Sequence, residues 1–451
     1  MTTSKLPSSF IRPEWKDAGY HKGAELDYST LSIGAARPTT ISDIRDAIDS
    51  PSVKTVILPQ GDISIDGILE PKRSVAILGH ENGTNIKWTK SLYELFGIGT
   101  FLPDPAEGKL GWATGGGHIW NKTVKDLTEV IVARMTMTYP SPSKYNGHWK
   151  ETGRNPVFLY EVDDFVIQDI TVIDGDNGIM FHGNRGTVRN ITLKNTSSRT
   201  AFFHNFSQTN TYSHYGINPW GSQNCLIQNL DLQTTAIHDI FFGGKYNVFT
   251  GLKGKNLSLD HHHAGPSYNL IDNVNHGLAT RPWKASSRAD RTNMGQGNVF
   301  WNLRTGANKR LSTLPPPEWW LNLGINAPKK YAVVGHTQTI KNADTWVEAI
   351  GLDLEPVSLY QALKSGTFPP VTPPTTNKFK VGDRVRVKTD TGYVRAIPGV
   401  SNPKLGTQPL GSLGTIIDGP RDVSGDDFIW YCVNYDNQPD GWTGQGSLEL
   451  A

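Results

Sequence analysis

The segment VIQDITVIDG, residues 166–175, decides the fold. Within it, Ile167-Gln-Asp-Ile170 is one instance of a pattern: apolar, any residue, Asn or a stand-in, apolar. The pattern returns at Val188-Arg-Asn-Ile191, Ile227-Gln-Asn-Leu230, Phe249-Thr-Gly-Leu252, Ile271-Asp-Asn-Val274 and Phe300-Trp-Asn-Leu303. Counted between first residues, the steps are 21, 39, 22, 22 and 29. Three agree within one residue, and the two long ones read as single turns carrying insertions. β-rich units of this length cannot bury an apolar face alone and must stack on one another, as in a solenoid. The spacing of a leucine-rich repeat is absent, so β-branched, Asn-rich coils of a parallel β-helix are expected. Asn190, Asn229, Asn273 and Asn302 are expected to stack as a ladder of turn residues.

Bulk composition narrows the classes. At 451 residues the chain is expected to hold two or more domains. A formal charge of +2 with 19% charged residues argues against a nucleic-acid partner. No run approaches the apolar length of a membrane span, so no membrane partner is expected. Two cysteines, Cys225 and Cys432, exclude a disulfide framework. The opening MTTSKLPSSFIRPEWKD lacks the apolar core of a signal peptide.

Ahead of the repeats, TTISDIRDAIDS (39–50) sets Ile44, Ala47 and Ile48 on one helical face behind a Ser42 cap, a helix suited to covering the open end of a solenoid. The following VKTVILPQGDISIDGILEPKRSVAILG (53–79) resembles the opening coil of pectate-lyase-like right-handed β-helices. That resemblance spans roughly residues 35–345 and implies a right-handed, single-stranded parallel β-helix. The calcium-binding aspartates and arginine signature of pectate lyases have no counterpart here, so it implies no catalytic residue. The run 145–179, with HYGINPWGS (214–222) and AIHDIFF (236–242), is similar to bacterial β-helix proteins associated with polysaccharide breakdown, which implies a glycan substrate. WVEAIGLDLEPVSLYQALKSG (346–366) is expected to be a helix packed on the solenoid, ending a first domain at 365. Residues 366–377 read as a Pro/Thr linker. From 378 to 451 the chain resembles a bacterial SH3-like domain through Val381-Gly-Asp-Arg-Val385, Val394–Gly399, Gly414-Thr-Ile-Ile417, Trp430 and Gly441-Trp-Thr443. Such a module implies attachment to a cell wall, and with it an extracellular or cell-surface location.

The chemistry-bearing residues gather late in the repeats. With each coil's first apolar residue as origin, His238-Asp239, Asp260-His261 and Pro282-Trp283 fall at equivalent positions. Stacking at about 4.8 Å then puts His238 over Asp260 and Asp239 over His261. Asp239, Asp260, His238 and His261, with Asp176 on an earlier coil, are the candidate catalytic residues. Insertions at 197–216 and 277–297 supply the candidate substrate contacts: Arg281, Trp283, Lys284, Arg288, His214 and Tyr215, with His182 nearby. His148, Lys150, Glu151 and Arg154 are weaker candidates, and Trp319 and Trp320 a candidate stacking platform. In SLDHHHAGP (258–266), His261 and His263 have a strand-type zinc spacing, but proton transfer by a His–Asp pair is the commoner use. No cofactor is required by the sequence, and Ca2+ is a candidate.

Two mechanisms compete. Hydrolysis uses two carboxylates about 5 Å apart for retention or 6.5–9.5 Å for inversion, with Asp239 and Asp260 as the leading pair. β-Elimination uses a base beside a uronate, here His238 or His261, with Arg281, Lys284 or Arg288 neutralising the carboxylate. A non-catalytic glycan-binding or spike-like adhesin is the third reading.

Overall fold

A computed structural model describes residues 2–7, 10–96, 101–104, 109–113, 116–140, 144–145, 147, 151–205, 209–261, 265–285, 293–316, 331–341, 345–368, 379–399, 402–422 and 429–451. The chain divides into two compact units: Met1–Leu6 with Arg12–Pro369, and Pro7–Ile11 with Pro370–Ala451.

The first unit is a right-handed parallel β-helix. Its long sheet has 14 strands, running by parallel pairing from Thr55–Ile57 to Thr345–Ala349. A second parallel sheet has seven strands: Ile119–Trp120, Val157–Tyr160, Ile179–His182, Ser213–Pro219, Ala236–Phe242, Leu259–His261 and Trp283–Ala285. Between the sheets runs one continuous core in which Ile167, Ile191, Ile227, Phe249, Ile271 and Phe300 are buried.

The repeated Asn is a backbone requirement before it is a side-chain one. Asp169, Asn190, Asn229, Asn273 and Asn302 all have φ between 53° and 59°, the left-handed region. Asn and Asp tolerate that region better than other side chains, which is why the motif reads apolar-x-Asn-apolar. Pairing skips this residue on each coil: Gln168 faces Arg189, then Ile170 faces Ile191. Of the expected ladder only the rung between Asn190 and Asn229 forms, Asn229 Nδ2 donating to Asn190 Oδ1 at 3.2 Å. The ladder extends backwards to Asp169, whose Oδ1 accepts from Asn190 Nδ2 at 2.7 Å. It stops at Gly251 (φ 68°), where an added Cβ would stand 2.7 Å from Asn229 Oδ1. Asn273 and Asn302 bond Arg304 and the Val357 carbonyl instead. A second ladder, absent from the sequence reading, is wholly buried. The backbone N–H groups of Cys225, Asn247 and Asn269 donate to Oδ1 of Asn247, Asn269 and Asn298 on the next coil, at 2.9, 2.9 and 3.0 Å. Each amide thus satisfies a turn N–H that burial would otherwise leave costly.

The cap over the first coil is a helix, Ile41–Asp49, burying Ile44 and Ile48; its N-cap is Thr40, which accepts from the Asp43 N–H, rather than Ser42. The stretch 346–366 is not one helix. Thr345–Ala349 is a strand of the long sheet, and only Leu359–Ser365 is helical. Pro356 explains the division, since it cannot donate within a helix interior. The helix begins at Ser358 and is tied to the solenoid by the Leu359 N–H, which donates to buried Asp272 at 3.0 Å.

The second unit is a seven-stranded antiparallel sheet around Val385, Val394, Ile416, Tyr431, Val433 and Leu448. Most of the expected linker lies outside the described residues. No described helix is long and apolar enough to cross a membrane.

Candidate functional site

The register of the seven-stranded sheet decides which side chains meet. Tyr215 pairs with His238, Phe241 with Asp260 and then Lys284, and Phe242 with His261 and then Ala285. The expected alignment of His238 over Asp260 and Asp239 over His261 is therefore displaced by three residues. The cause is a coil from Phe241 to Asp260 shorter than the 22-residue repeat of the long sheet: the two sheets do not keep one period. His238 still reaches Asp260 diagonally, its Nδ1 hydrogen-bonded to Asp260 Oδ2.

Alternation then separates the candidates. Asp260 and Lys284 lie on the row that faces away from the core. His261 and Trp283 are on the core side: His261 stacks 4.6 Å from the Phe242 ring and lies 5.8 Å from Phe300. Burial drives the His261 pKa down to about 3, so it is neutral at ordinary pH. Trp283 meets Phe300 edge-on at 5.1 Å and donates its indole N–H to the Thr313 carbonyl at 3.0 Å, a packing role rather than an open sugar platform.

The outer row carries a compact cluster. Lys284 Nζ stands 3.9 Å from Asp260 Oδ2 and donates to the Ile237 carbonyl at 2.6 Å. Burial lowers the Lys284 pKa, opposed by Asp260. The His238 ring lies 5.0 Å from Tyr215 and 5.2 Å from His214. Burial lowers its pKa well below the usual imidazole value despite the facing Asp260 carboxylate. His214 Nδ1 is 2.7 Å from Glu151 Oε1, which also accepts from the Tyr145 hydroxyl at 3.0 Å. The cluster thus holds two buried His–carboxylate pairs, Glu151–His214 and His238–Asp260, joined by the contact between their imidazoles. His204 joins at the edge, its pKa held down to about 4 by burial and the charge of Lys284.

Asp239 belongs to a different structure. It accepts from the Ala236 N–H at 2.7 Å, the Ser258 N–H at 2.9 Å, the Ser258 hydroxyl at 3.0 Å and Arg281 at 2.6 Å. Arg281 also donates to the Ala236 and Ile237 carbonyls at 2.9 and 3.2 Å. Both side chains are buried in this knot. Asp176 is a scaffold of the same kind: it takes the N–H groups of Thr152 and Arg154 at 3.1 and 3.2 Å and Arg199 at 2.9 Å. Arg199 in turn donates to the Tyr212 carbonyl at 2.9 Å. The pair ties the backbone next to Glu151 to the chain that leads into His214. His182 is not brought into the cluster; it stacks on Tyr160 at 5.2 Å. Arg288, His148, Lys150, His262, His263, Trp319 and Trp320 lie outside the described residues.

Glu151 ranked low in the sequence because it sits in an irregular segment ahead of its strand, where no repeat register applies. Tyr145 and Arg199 carried no spacing signal at all. Among the described residues, no group of three or more His, Cys, Asp or Glu side chains is placed to hold a metal ion.

No protein-family model and no curated protein matches the chain. Among solved structures, a 1,3-α-1,4-β-D-galactose-4-sulfate-3,6-anhydro-D-galactose-2-sulfate 4 galactohydrolase is similar at 10% identity and TM-score 0.35, covering 65% of this chain and 65% of that one. The A-module of the Azotobacter vinelandii mannuronan C-5 epimerase AlgE4 is similar at 13% identity and TM-score 0.30, covering 71% of this chain and 96% of that one. A putative glycosyl hydrolase from Parabacteroides merdae is similar at 11% identity and TM-score 0.29, over 60% of this chain and 90% of that one.

Proposed function

We propose that this chain is a polysaccharide-processing enzyme that breaks an acidic glycan by β-elimination, with His238 as the base. The observation that carries the reading is the His238–Asp260 pair with Lys284 beside it on the outward row. Asp260 holds the imidazole by Nδ1 and stabilises its protonated form, and proton abstraction from the substrate is assigned to Nε2. Burial keeps the imidazole neutral and able to accept. Lys284 supplies a cation for the uronate carboxylate, whose neutralisation makes the adjacent C–H acidic enough to lose. The proton passes from that carbon to His238, its electron pair forms the ring double bond, and the glycosidic C–O bond breaks. The leaving oxygen takes its proton from Tyr215, which stacks on His238, or from solvent.

Hydrolysis by Asp239 and Asp260 is the rival reading, favoured by the position of both carboxylates on adjacent coils. Against it stands the saturation of Asp239, whose two oxygens are engaged by the donors of Ala236, Ser258 and Arg281. A binding-only protein is the third reading. A panel of uronate and neutral polysaccharides incubated with the protein separates the three. Unsaturated ends, seen by ultraviolet absorbance, support elimination. New reducing ends without absorbance contradict it, and binding without new ends leaves the adhesin reading.

We read the antiparallel unit as an SH3-like module that holds the enzyme on a cell wall, consistent with an extracellular site of action. The full chain is then expected to sediment with insoluble wall polymer while a chain ending at residue 368 stays in solution; equal behaviour of the two would rule this out.

A further inference from the structure

The seven-stranded sheet carries a second feature that the proton-transfer cluster does not use. On the row after the buried Leu159 and Phe181, side chains turn outward again as Tyr160 and His182, paired on adjacent strands. Their rings stack at 5.2 Å with 27° between planes. The next strand pairs with this one as far as Phe181 and Pro219 and ends there, and Trp220 opens the turn that follows it. Trp220 is 45% exposed, against complete burial of Phe181 one row away on the same sheet. A Cβ added at Gly221 would lie 3.3 Å from the His182 ring, so the imidazole packs against the turn that presents Trp220. At the other end, Lys125 Nζ sits 5.1 Å over the Tyr160 ring and 3.3 Å from Glu161 Oε2.

Two stacked rings, Tyr160 and His182, thus stand half-buried on adjacent coils, and the turn on the next coil adds the exposed Trp220, each of the three with an apolar body and a polar edge. Coils repeat at about 4.8 Å, close to the length of one pyranose unit in an extended chain. Rings of this kind suit the apolar faces of sugars, while the Tyr hydroxyl, imidazole and indole N–H groups meet hydroxyls at the rim. A purely structural ladder would be expected to close itself off, as the inner row does.

We propose that Tyr160, His182 and Trp220 form a second carbohydrate subsite that grips sugar units of the processed polysaccharide away from His238. This rests on the reading of the chain as a polysaccharide-processing enzyme and adds a subsite to it. The exposed Trp220 meets the apolar side of a sugar ring and the outer edges of the stacked Tyr160 and His182 meet its hydroxyls, so the subsite takes neutral and acidic units alike, whereas Lys284 selects the unit that reacts. Long chains engage both places and short oligosaccharides only one, so the subsite acts on affinity for long substrate and leaves turnover at saturation unchanged.

The test is native electrophoresis of the full chain in gels cast with polygalacturonate, alginate, carrageenan or xyloglucan, beside cleavage assays on long and short substrate. The proteins compared are the wild type, Trp220→Ala, Trp220→Phe, the double variant Tyr160→Ala/Trp220→Ala, and His238→Ala. At least one polysaccharide is expected to retard both the wild type and His238→Ala. The double variant is expected to lose about tenfold in affinity, with Trp220→Phe close to wild type and melting temperatures unchanged. Equal retardation of the wild type and the double variant overturns the subsite, as does retardation of neither by any of the four glycans. The two readings also fail separately. Cleavage with wild-type KM on long chains by the double variant sinks the subsite and leaves the enzyme. Binding lost in the double variant, with no cleavage by any protein, keeps the subsite and sinks the enzyme.

Discussion

Asp239 and Asp260 lie on neighbouring coils, both buried, both within reach of a basic residue, and they do opposite things. Asp239 is filled by backbone and hydroxyl donors and by Arg281, which itself is spent on two carbonyls. Those partners, Ala236, Ser258 and Arg281, come from three successive coils, so the group ties the coils together. Asp260 has a titratable partner, His238, and a second cation, Lys284, at a looser 3.9 Å. A buried carboxylate next to a permanent guanidinium is an anchor, while one next to an imidazole can share a proton. The sequence shows two Asp–His neighbours at equivalent spacing and cannot tell them apart; the partners can.

The comparison is broken most severely by removing the base. His238→Ala is expected to lower kcat by about a hundredfold to ten-thousandfold, the usual contribution of general acid–base catalysis, while the chain still folds because Lys284 remains beside the buried Asp260. If Asp239→Asn is the variant that kills turnover while His238→Ala remains active, the roles assigned above are reversed. Next in size is Asp239→Ala. It leaves Arg281 buried without its carboxylate, so a loss of about 3–5 kcal/mol is expected in denaturant unfolding. A mild effect there would mean that the knot is dispensable. Lys284→Ala is expected to cost about a hundredfold in kcat/KM on uronate polymers, in keeping with the loss of one electrostatic partner of the transition state.

The smallest effects concern the core histidines. His261 and His276 are held by burial at pKa values of about 3 and about 4, below the ordinary imidazole value near 6.5. The folded state then binds fewer protons than the unfolded state between those limits, so their neutral burial stabilises the fold above pH ~6.5 and that stabilisation is lost as pH falls toward 3–4. His261→Phe is expected to keep activity and to flatten the acid side of the stability curve. A variant that melts as steeply in acid as the wild type would remove His261 from that account.

The fold was legible because its determinant is periodic: one left-handed residue per coil demands Asn, Asp or Gly at a fixed place, and the demand prints itself on the chain. The site was legible only in part. His238, Asp260, Lys284, His214 and Tyr215 are marked by residue type, and their gathering follows from adjacent coils. Their register was not, because the seven-stranded sheet is joined by turns of unequal length and does not share the 22-residue step. Which face His261 and Trp283 take depends on that register, and a one-residue change of parity moves a side chain from groove to core. Glu151 comes from an irregular segment positioned by Asp176 and Arg199, contacts that no local pattern encodes.

The most direct test of the central claim is to cleave a uronate polysaccharide in heavy-oxygen water and weigh the products. Proton abstraction by His238 breaks the chain without adding water. Unsaturated fragments carrying no solvent oxygen at the new end are therefore expected, and they should vanish in His238→Ala. Saturated fragments with one heavy oxygen at each new reducing end would contradict elimination and return the catalytic role to a pair of carboxylates.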